Sequence, residues 1–363
     1  MDSSVQLIFW HASATFTGTV ILHLLALKLF PKWGLLDFPE RYGLTRARIP
    51  YPTGILAVIA FLAFFATFES TLALKPWSKQ ACGLIAGTVL LTIITFLDDR
   101  RPLPSSLRLF TQIVVALAIF LTGTRIYTLT NPLASIMATD VIPLHTFTLP
   151  IAVLDNPSLF GMLFTVLWLG LTMNALNWFD GIRGQVSVLS VLGFVTIGLL
   201  SLSDRVGDFS LGLISFALAG IALACLIFDR PGPLALIGDT GAMFFGLLLG
   251  VLTIFTGGKV ATGFLVLGVP LIDSFLVIVR RILKGKSIFA GDVQNEHLHH
   301  RLLKQGWNEW QIITLTAFLG TSFGITALFL STLEKFLAAL ALFLIMLLLS
   351  IYSGRAKKSL SSP

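Results

Sequence analysis

The feature that most constrains this chain is a run of about 20 apolar residues, repeated along almost its whole length. Each run is long enough to cross a bilayer as a helix. In hydrocarbon only a helix or a closed barrel satisfies every backbone N–H and C=O. Eleven runs are read, at 5–29, 53–74, 79–97, 107–123, 158–177, 185–201, 209–227, 240–256, 260–280, 310–331 and 335–352. Of the 363 residues 12% are charged, against about 25% in a typical soluble domain. The sequence therefore predicts an all-α integral membrane fold with about eleven transmembrane helices. Neither an internal repeat nor a long linker divides it, so residues 1–363 read as one polytopic domain. Within that domain a cytoplasmic loop is expected at 281–309 and a basic cytoplasmic tail at 353–363. The first residues, Met1 to Ser4, lack the basic stretch of a secretory signal, so the first run reads as a retained helix.

The formal net charge is +7, but the basic residues sit in short loops between spans, where they set orientation rather than bind nucleic acid. Of the 25 Lys and Arg, 19 fall at the cytoplasmic end of the first helix, on one alternate set of loops and on the tail. The opposite set holds the other six, Lys75, Lys79, Arg125, Arg205, Lys259 and Lys335. The positive-inside rule then puts the N-terminus outside and the C-terminus in the cytoplasm. The segment 124–157 lies outside in this reading and, from its alternation at Thr146–Leu149 and its prolines, is expected to form a short hairpin-like cover. Cys82 and Cys225 lie in apolar runs without metal-ligand spacing and read as packing residues.

The unusual polar residues gather on the cytoplasmic side. Asn174, Asn177 and Asp180 recur every third residue at the end of the fifth run, forming one polar stripe on a helix, and Gly181 and Gly184 follow. A capped loop and a wet binding site both fit that pattern; inside a membrane such groups are costly unless they face water or a partner. Arg46 and Arg48 precede a stiff Pro50-Tyr-Pro-Thr-Gly54 turn, a basic loop suited to a phosphate or to plain membrane anchoring. Asp98 and Asp99 stand at the exit of a span beside Arg100 and Arg101. They can hold a hard cation, act as a base, or simply be solvated helix-end acids. Asp229 leads into Gly238-Asp239-Thr-Gly241, where Asp239 opens a helix as a cap or as an oxygen ligand beside phosphate-binding N–H groups. Gly241, Gly246 and Gly250 read as close-packing positions. His297, His299, His300 and Arg301 follow Gly291 and Asp292; without partner cysteines or an i, i+4 pair they suit diphosphate binding or proton transfer better than zinc. Asp273, in the ninth run, is a functional acid or an ion partner for Arg280 and Arg281.

Taken in this order, the chain resembles the polyprenyl-phosphate N-acetylhexosamine-1-phosphate transferases, the MraY/WecA-like membrane family called glycosyltransferase family 4. The resemblance runs from about Asp37 to about Arg301 and is carried by Asp98-Asp99, by Asn174, Asn177 and Asp180, and by Gly238-Asp239. The segment from Pro270 to Asp273 with Arg280-Arg281 and the His297-Leu-His-His300 motif complete it. The resemblance implies a phosphotransferase of the bacterial cytoplasmic membrane, active on its cytoplasmic face. It would move a sugar 1-phosphate, such as N-acetylhexosamine 1-phosphate, from a UDP-sugar to polyprenyl (undecaprenyl) phosphate, as the first membrane step of a cell-envelope glycan. It implies Mg²⁺, with Mn²⁺ as a substitute, held by Asp239 and Asp98, and Asp99 positioning metal or accepting a proton. It further implies that His297, His299 and His300 act on the diphosphate with Arg301, and that Arg46, Arg48, Asn174, Asn177, Asp180, Arg183 and Asp229 contact substrate. The partners are the membrane lipid and a nucleotide sugar; a homodimer is compatible with the sequence. The short 281–309 loop agrees with a bacterial-type enzyme.

Four positions depart from the family pattern. Arg183 stands for the usual second acid of DGxDG, Asp229 for an Asn, Leu236 for an aromatic, and Asp292 lies further than usual before His297. The opposite charge changes at Arg183 and Asp229 lead to the expectation that the two form an ion pair lining the nucleotide pocket. Two other functions compete. A prenyltransferase needs repeated Asp-rich motifs, and Asp98-Asp-Arg-Arg101 lacks the later acid of DDxxD. An ion-coupled transporter would use Asp273 and predicts internal symmetry with polar residues deep in several spans. A catalytically altered family member is the third alternative.

Overall fold

The computed structural model describes residues 3–42, 45–67, 78–132, 134, 139–150, 157–257, 260–286 and 296–354. Helix α1 (Ser3–Leu29) is followed by a 3₁₀ turn (Pro39–Tyr42), α2 (Gly54–Thr67), α3 (Lys79–Arg100) and α4 (Ser105–Leu121). Two short strands, β1 (Thr128–Thr130) and β2 (Val141–Pro143), lead to α5 (Leu159–Phe179), α6 (Gln185–Leu202), α7 (Phe209–Asp229) and α8 (Gly238–Phe255). The chain continues through α9 (Val260–Val266), α10 (Gly268–Leu283), α11 (Leu298–Lys304), α12 (Glu309–Phe329) and α13 (Thr332–Gly354). Among the described residues eight helices are long and apolar enough to cross a membrane, α9 and α10 form a bent apolar pair that is one broken span or a re-entrant loop, and α2 and α4 are shorter apolar helices. This is the helical, multi-pass membrane architecture that the apolar runs predict. Residues 68–74 of the second run, Gly291 and Asp292 in the 281–309 loop, and 355–363 of the tail lie outside the described residues.

The ninth run is the one that does not form a single rod: α9 and α10 meet at 84°. Pro270 explains the break. An interior proline removes an N–H and clashes with the carbonyl four residues earlier. Restarting the helix at Gly268 puts Pro270 in the first turn of α10, where its missing N–H would have had no partner. In the segment read as an external hairpin, a two-stranded ladder pairs Thr128–Thr130 with Val141–Pro143, and the alternating stretch makes a separate antiparallel bridge from Thr148 to Ser158.

Helix α8 is the centre of the bundle. Every residue from Thr240 to Ile254 is buried, and α2, α3, α5 and α6 pack around it. Close approach to α5 is possible because Gly246 faces the Thr172 carbonyl and Met173, and Gly250 faces Thr172 and Leu169. Small residues let backbones approach and gain dispersion where lipid gives no hydrophobic drive. The turn before α2 docks on the turn before α8. Thr53 N–H donates to Leu236 O (2.7 Å), Gly54 N–H to Ile237 O (2.9 Å), and Leu236 N–H to Pro50 O (3.0 Å). At Gly54 a side-chain carbon would strike the Ile237 carbonyl and the Gly241 backbone.

Gly54→Ala should therefore destabilise the protein by roughly 1–3 kcal/mol through overpacking against backbone. Gly170→Ala, where the space is open, should leave the melting temperature of the detergent-solubilised protein unchanged or slightly higher. Equal melting temperatures for the two variants would contradict the docked turn.

Candidate active site

Helix α8 begins without a side-chain cap of its own, since Ile237 occupies the N-cap position. Asp99, from the end of α3, does that work. Its Oδ1 accepts from the Tyr51 hydroxyl (2.6 Å) and the Asp239 N–H (2.9 Å). Its Oδ2 accepts from the Thr240 N–H (3.0 Å) and the Thr240 hydroxyl (2.6 Å). A carboxylate has about four acceptor sites, so all are used. Gly238, with φ +69°, makes this fit: a side chain there would meet both the Asp99 carboxylate and the Tyr51 ring at 2.8 Å.

Asp98 faces the other way. Its Oδ1 accepts the Leu103 N–H (2.6 Å), and its Oδ2 lies 3.0 Å from Arg108 Nη1. The same guanidinium nitrogen is 3.4 Å from Asp239 Oδ2. Two carboxylate oxygens thus converge on one cationic group. Such hard oxygen donors suit Mg²⁺. No group of three or more His, Cys, Asp or Glu gathers as a metal cage among the described residues.

The end of α5 closes the second side. Asn174 exchanges hydrogen bonds with Gln112 of α4 (2.5 and 3.2 Å) and donates to Gly170 O (2.8 Å), so it ties α5 to α4. The Asn177 carboxamide faces Asp239, and its Nδ2 is buried without a geometric hydrogen bond. Asp180 caps α5, with one carboxylate oxygen buried and unpartnered. Burial, and then the Asp229 carboxylate, push its pKa well above the ordinary range, against the pull of Arg183. Asp229 is not in an ion pair with Arg183. Among the described residues no salt bridge joins them; Asp229 Oδ2 instead takes the Gly184 N–H (3.0 Å) and contacts the Ser187 hydroxyl (3.4 Å), holding the start of α6. The Gly184 N–H and the Ser187 hydroxyl both use Oδ2, Oδ1 stays buried without a partner, and the Arg183 charge acts on the carboxylate from beyond ion-pair distance.

The histidines form the third side. The bend at Pro270 brings Asp273 to His297, with Asp273 Oδ2 2.7 Å from Nδ1 and Oδ1 accepting the Leu298 N–H (3.0 Å). The rings of His297 and His299 stack 5.8 Å apart, and His300 lies 4.3 Å from His299. Trp178 and Phe179 pack on His297 and His299, and Gly181 touches His299 and His300. His297 Nε2 and both His299 nitrogens are buried without partners. Burial first, then the neighbouring histidines, hold His299 well below the ordinary imidazole pKa, and His300 is lowered too. At neutral pH they are neutral hydrogen-bonding groups rather than cations.

Three expected substrate ligands are engaged elsewhere. Arg46 binds Asp37 (2.5 Å), Arg48 binds Glu40 (3.1 Å), and Arg301 binds the Ser350 carbonyl of α13 (2.7 Å). Four residues of the site escape sequence reading: Tyr51, Arg108, Gln112 and Thr240. Arg108 had a signal, a cation ten residues after Asp98 in an apolar helix. It reads equally well as a positive-inside charge.

Carboxylates, the Arg108 guanidinium between two of them, orphaned polar groups and neutral imidazoles around a helix N-terminus suit anionic, phosphate-bearing substrates. Residues 81–257, which contain Asp98, Asp99, Asp180 and Asp239, match the model of glycosyl transferase family 4. It is 27% identical over 92% of its length to a probable undecaprenyl-phosphate N-acetylglucosaminyl 1-phosphate transferase of Bacillus subtilis (strain 168), covering 86% of it. The undecaprenyl-phosphate alpha-N-acetylglucosaminyl 1-phosphate transferase of Escherichia coli (strain K12) is 28% identical, over 86% of this chain and 82% of the relative. A decaprenyl-phosphate N-acetylglucosaminephosphotransferase of Mycobacterium leprae is 30% identical over 66% of this chain and 61% of its own length.

The two adjacent acids should separate experimentally. Asp99→Ala strands several donors at the start of α8 and should cost about 3 kcal/mol of stability. Asp98→Asn keeps the Arg108–Asp239 contact and should leave the melting temperature nearly unchanged. The measurement is thermal unfolding in detergent followed by size-exclusion chromatography. A larger loss in Asp98→Asn than in Asp99→Ala would reverse the assignment.

Proposed function

We propose that this chain transfers a sugar 1-phosphate from a UDP-sugar to polyprenyl phosphate, giving a polyprenyl-diphospho-sugar and UMP. The observation that carries this reading is the convergence of Asp98 Oδ2 and Asp239 Oδ2 on one cationic point at 3.0 and 3.4 Å, beside the start of a helix. The names of the relatives favour N-acetylglucosamine as the sugar.

A phosphate oxygen of the acceptor lipid attacks the phosphorus that carries the sugar. The P–O bond to the uridylyl phosphate breaks, and that phosphate leaves with the bond electrons as UMP. A phosphate monoester is largely dianionic at neutral pH, its second pKa being about 6. The nucleophile therefore needs no dedicated base, and the occupied lone pairs of Asp99 agree with a positioning role for that residue. Asp239 and Asp98 would hold Mg²⁺, with Mn²⁺ as a substitute, and bound Mg²⁺ supplies charge neutralisation of the diphosphate. Arg108 already counters the two carboxylates and is available to a phosphate anion that competes for it. Asp273 fixes His297 through Nδ1, which leaves Nε2 for hydrogen bonding within the site. Asp180 and Asn177 offer unpartnered polar atoms to the nucleotide sugar.

In this reading the protein lies in the bacterial cytoplasmic membrane with its active site toward the cytoplasm. The support is the charge asymmetry of the loops and the placing of Asp98, Asp180, Asp239 and His297 at one end of the bundle. Cysteines introduced one at a time near Arg101, Arg183, Arg230 and Arg301 should all react with an impermeant maleimide only from the cytoplasmic side of sealed vesicles. Labelling of any one from the other side breaks the single-site reading.

The reaction is tested with membranes, polyprenyl phosphate and a panel of UDP-sugars, following UMP. Release should require a divalent metal and stop with a chelator. Asp239→Asn should lower it at least about a hundredfold, equivalent to roughly 3 kcal/mol of transition-state stabilisation, with membrane insertion intact. UMP release that is indifferent to metal, or to Asp239, would refute the proposal.

A further inference from the structure

Away from the acidic cluster, α6 packs against both α7 and α12, and the valley left over α6 between those neighbours is an open groove of about 370 Å³. Val188 of α6 and Ile313 of α12 form its floor, and Leu223 and Ile227 of α7 form one wall. Leu223 and Ile227 are one helical turn apart and outwardly exposed, so the groove opens toward lipid. Its volume is near the lower end for a ligand pocket, roughly 300–1,000 Å³, which suits a single hydrocarbon chain.

The mouth of the groove is different in character. Arg230, the residue that ends α7, and Trp310, in the first turn of α12, line it together. Arg230 is exposed, and among the described residues its guanidinium has no salt bridge or side-chain hydrogen bond. Trp310 is half exposed, as expected of an aromatic ring at the headgroup level. An apolar slot ending in an unpaired arginine and an interfacial tryptophan is complementary to a lipid whose chain fills the slot and whose phosphate meets the cation. Basic pockets between transmembrane helices are known to hold anionic headgroups.

We propose that this α6–α7–α12 groove binds a resident anionic phospholipid, with one acyl chain along Val188, Leu223 and Ile227 and its phosphate on Arg230. The occupant is not the acceptor lipid of the transfer reaction. The acceptor must present its phosphate to Asp98, Arg108 and Asp239, and no hydrogen bond or salt bridge links Arg230 to that cluster among the described residues. The bound phospholipid has a route to the site nonetheless. Arg230 follows Asp229, which holds the Gly184 N–H, and the Gly184 turn packs on the Arg230 backbone. A phosphate on Arg230 steadies the turn that follows Asp180.

The full chain is reconstituted in nanodiscs of phosphatidylcholine alone or mixed with phosphatidylglycerol, and retained lipid is read by native mass spectrometry. Phosphatidylglycerol should be retained selectively and saturably by the unaltered protein. Arg230→Gln should retain it about fivefold less, in line with the attraction expected for one basic residue. Val188→Trp, which fills the groove without touching the charge, should lower retention as well. Turnover should rise with phosphatidylglycerol in the unaltered protein and lose that response in both variants, while turnover in neutral lipid stays the same. The retention measurement decides the site whether or not turnover is observed, so failure of the transferase reading is separable from failure of this one. Equal phosphatidylglycerol retention in all three proteins overturns the proposal. So does polyprenyl phosphate as the retained species, or a dimer in which a second copy covers the groove and excludes lipid.

Discussion

The Asp99 carboxylate is the joint on which the site depends. It belongs to α3, it takes the hydroxyl of Tyr51 from the turn before α2, and it caps α8 through Asp239 and Thr240. Three elements distant in sequence are locked by one side chain with no acceptor left over. Such a clamp is worth having because the first N–H groups of a helix have no partner within the helix. Its neighbour Asp98 is thereby left as the acid that faces Asp239. The division of labour between two adjacent acids follows from helix geometry, since consecutive side chains diverge by about 100° around a helix axis.

Around this joint the site is dominated by negative charge. Asp98, Asp99, Asp180, Asp229 and Asp239 come from four helix ends, and Arg108 and Arg183 are the cations that act on them. Buried like charges are costly, and each acid has found a different solution: Asp99 four donors, Asp98 an arginine and a backbone N–H, Asp229 the turn at Gly184. Asp180 and Asp229 each keep one buried carboxylate oxygen without a partner. An arrangement of this kind stores a demand for positive charge at one point, which a divalent cation carrying an anionic substrate meets well.

Much of the architecture was legible in the chain. The apolar runs coincide with helices because a bilayer leaves little alternative, and the motif acids sit at helix ends because an interior position would be expensive. Asp180, Asp239 and the histidines do share one end of the bundle. The contacts between distant segments were not legible. Arg183 and Asp229 have complementary charge in the sequence, yet no salt bridge joins them among the described residues, and Asp229 holds the Gly184 N–H instead. Arg46, Arg48 and Arg301 have Asp37, Glu40 and Ser350 beside them, and Asn174 pairs with Gln112.

What the sequence determined by itself was the helical, multi-pass membrane class, the order of the apolar segments, and the residue types available for phosphate chemistry. These depend on local composition and on transfer from water to lipid, which each segment experiences alone. What only the tertiary structure decided was which acid caps a helix and which faces a cation, that α9 and α10 turn by 84° to deliver Asp273 to His297, and that Arg108 belongs to the centre of the site. Those outcomes depend on distances between segments far apart in the chain, where a shift of an ångström or two decides which donor reaches which acceptor first.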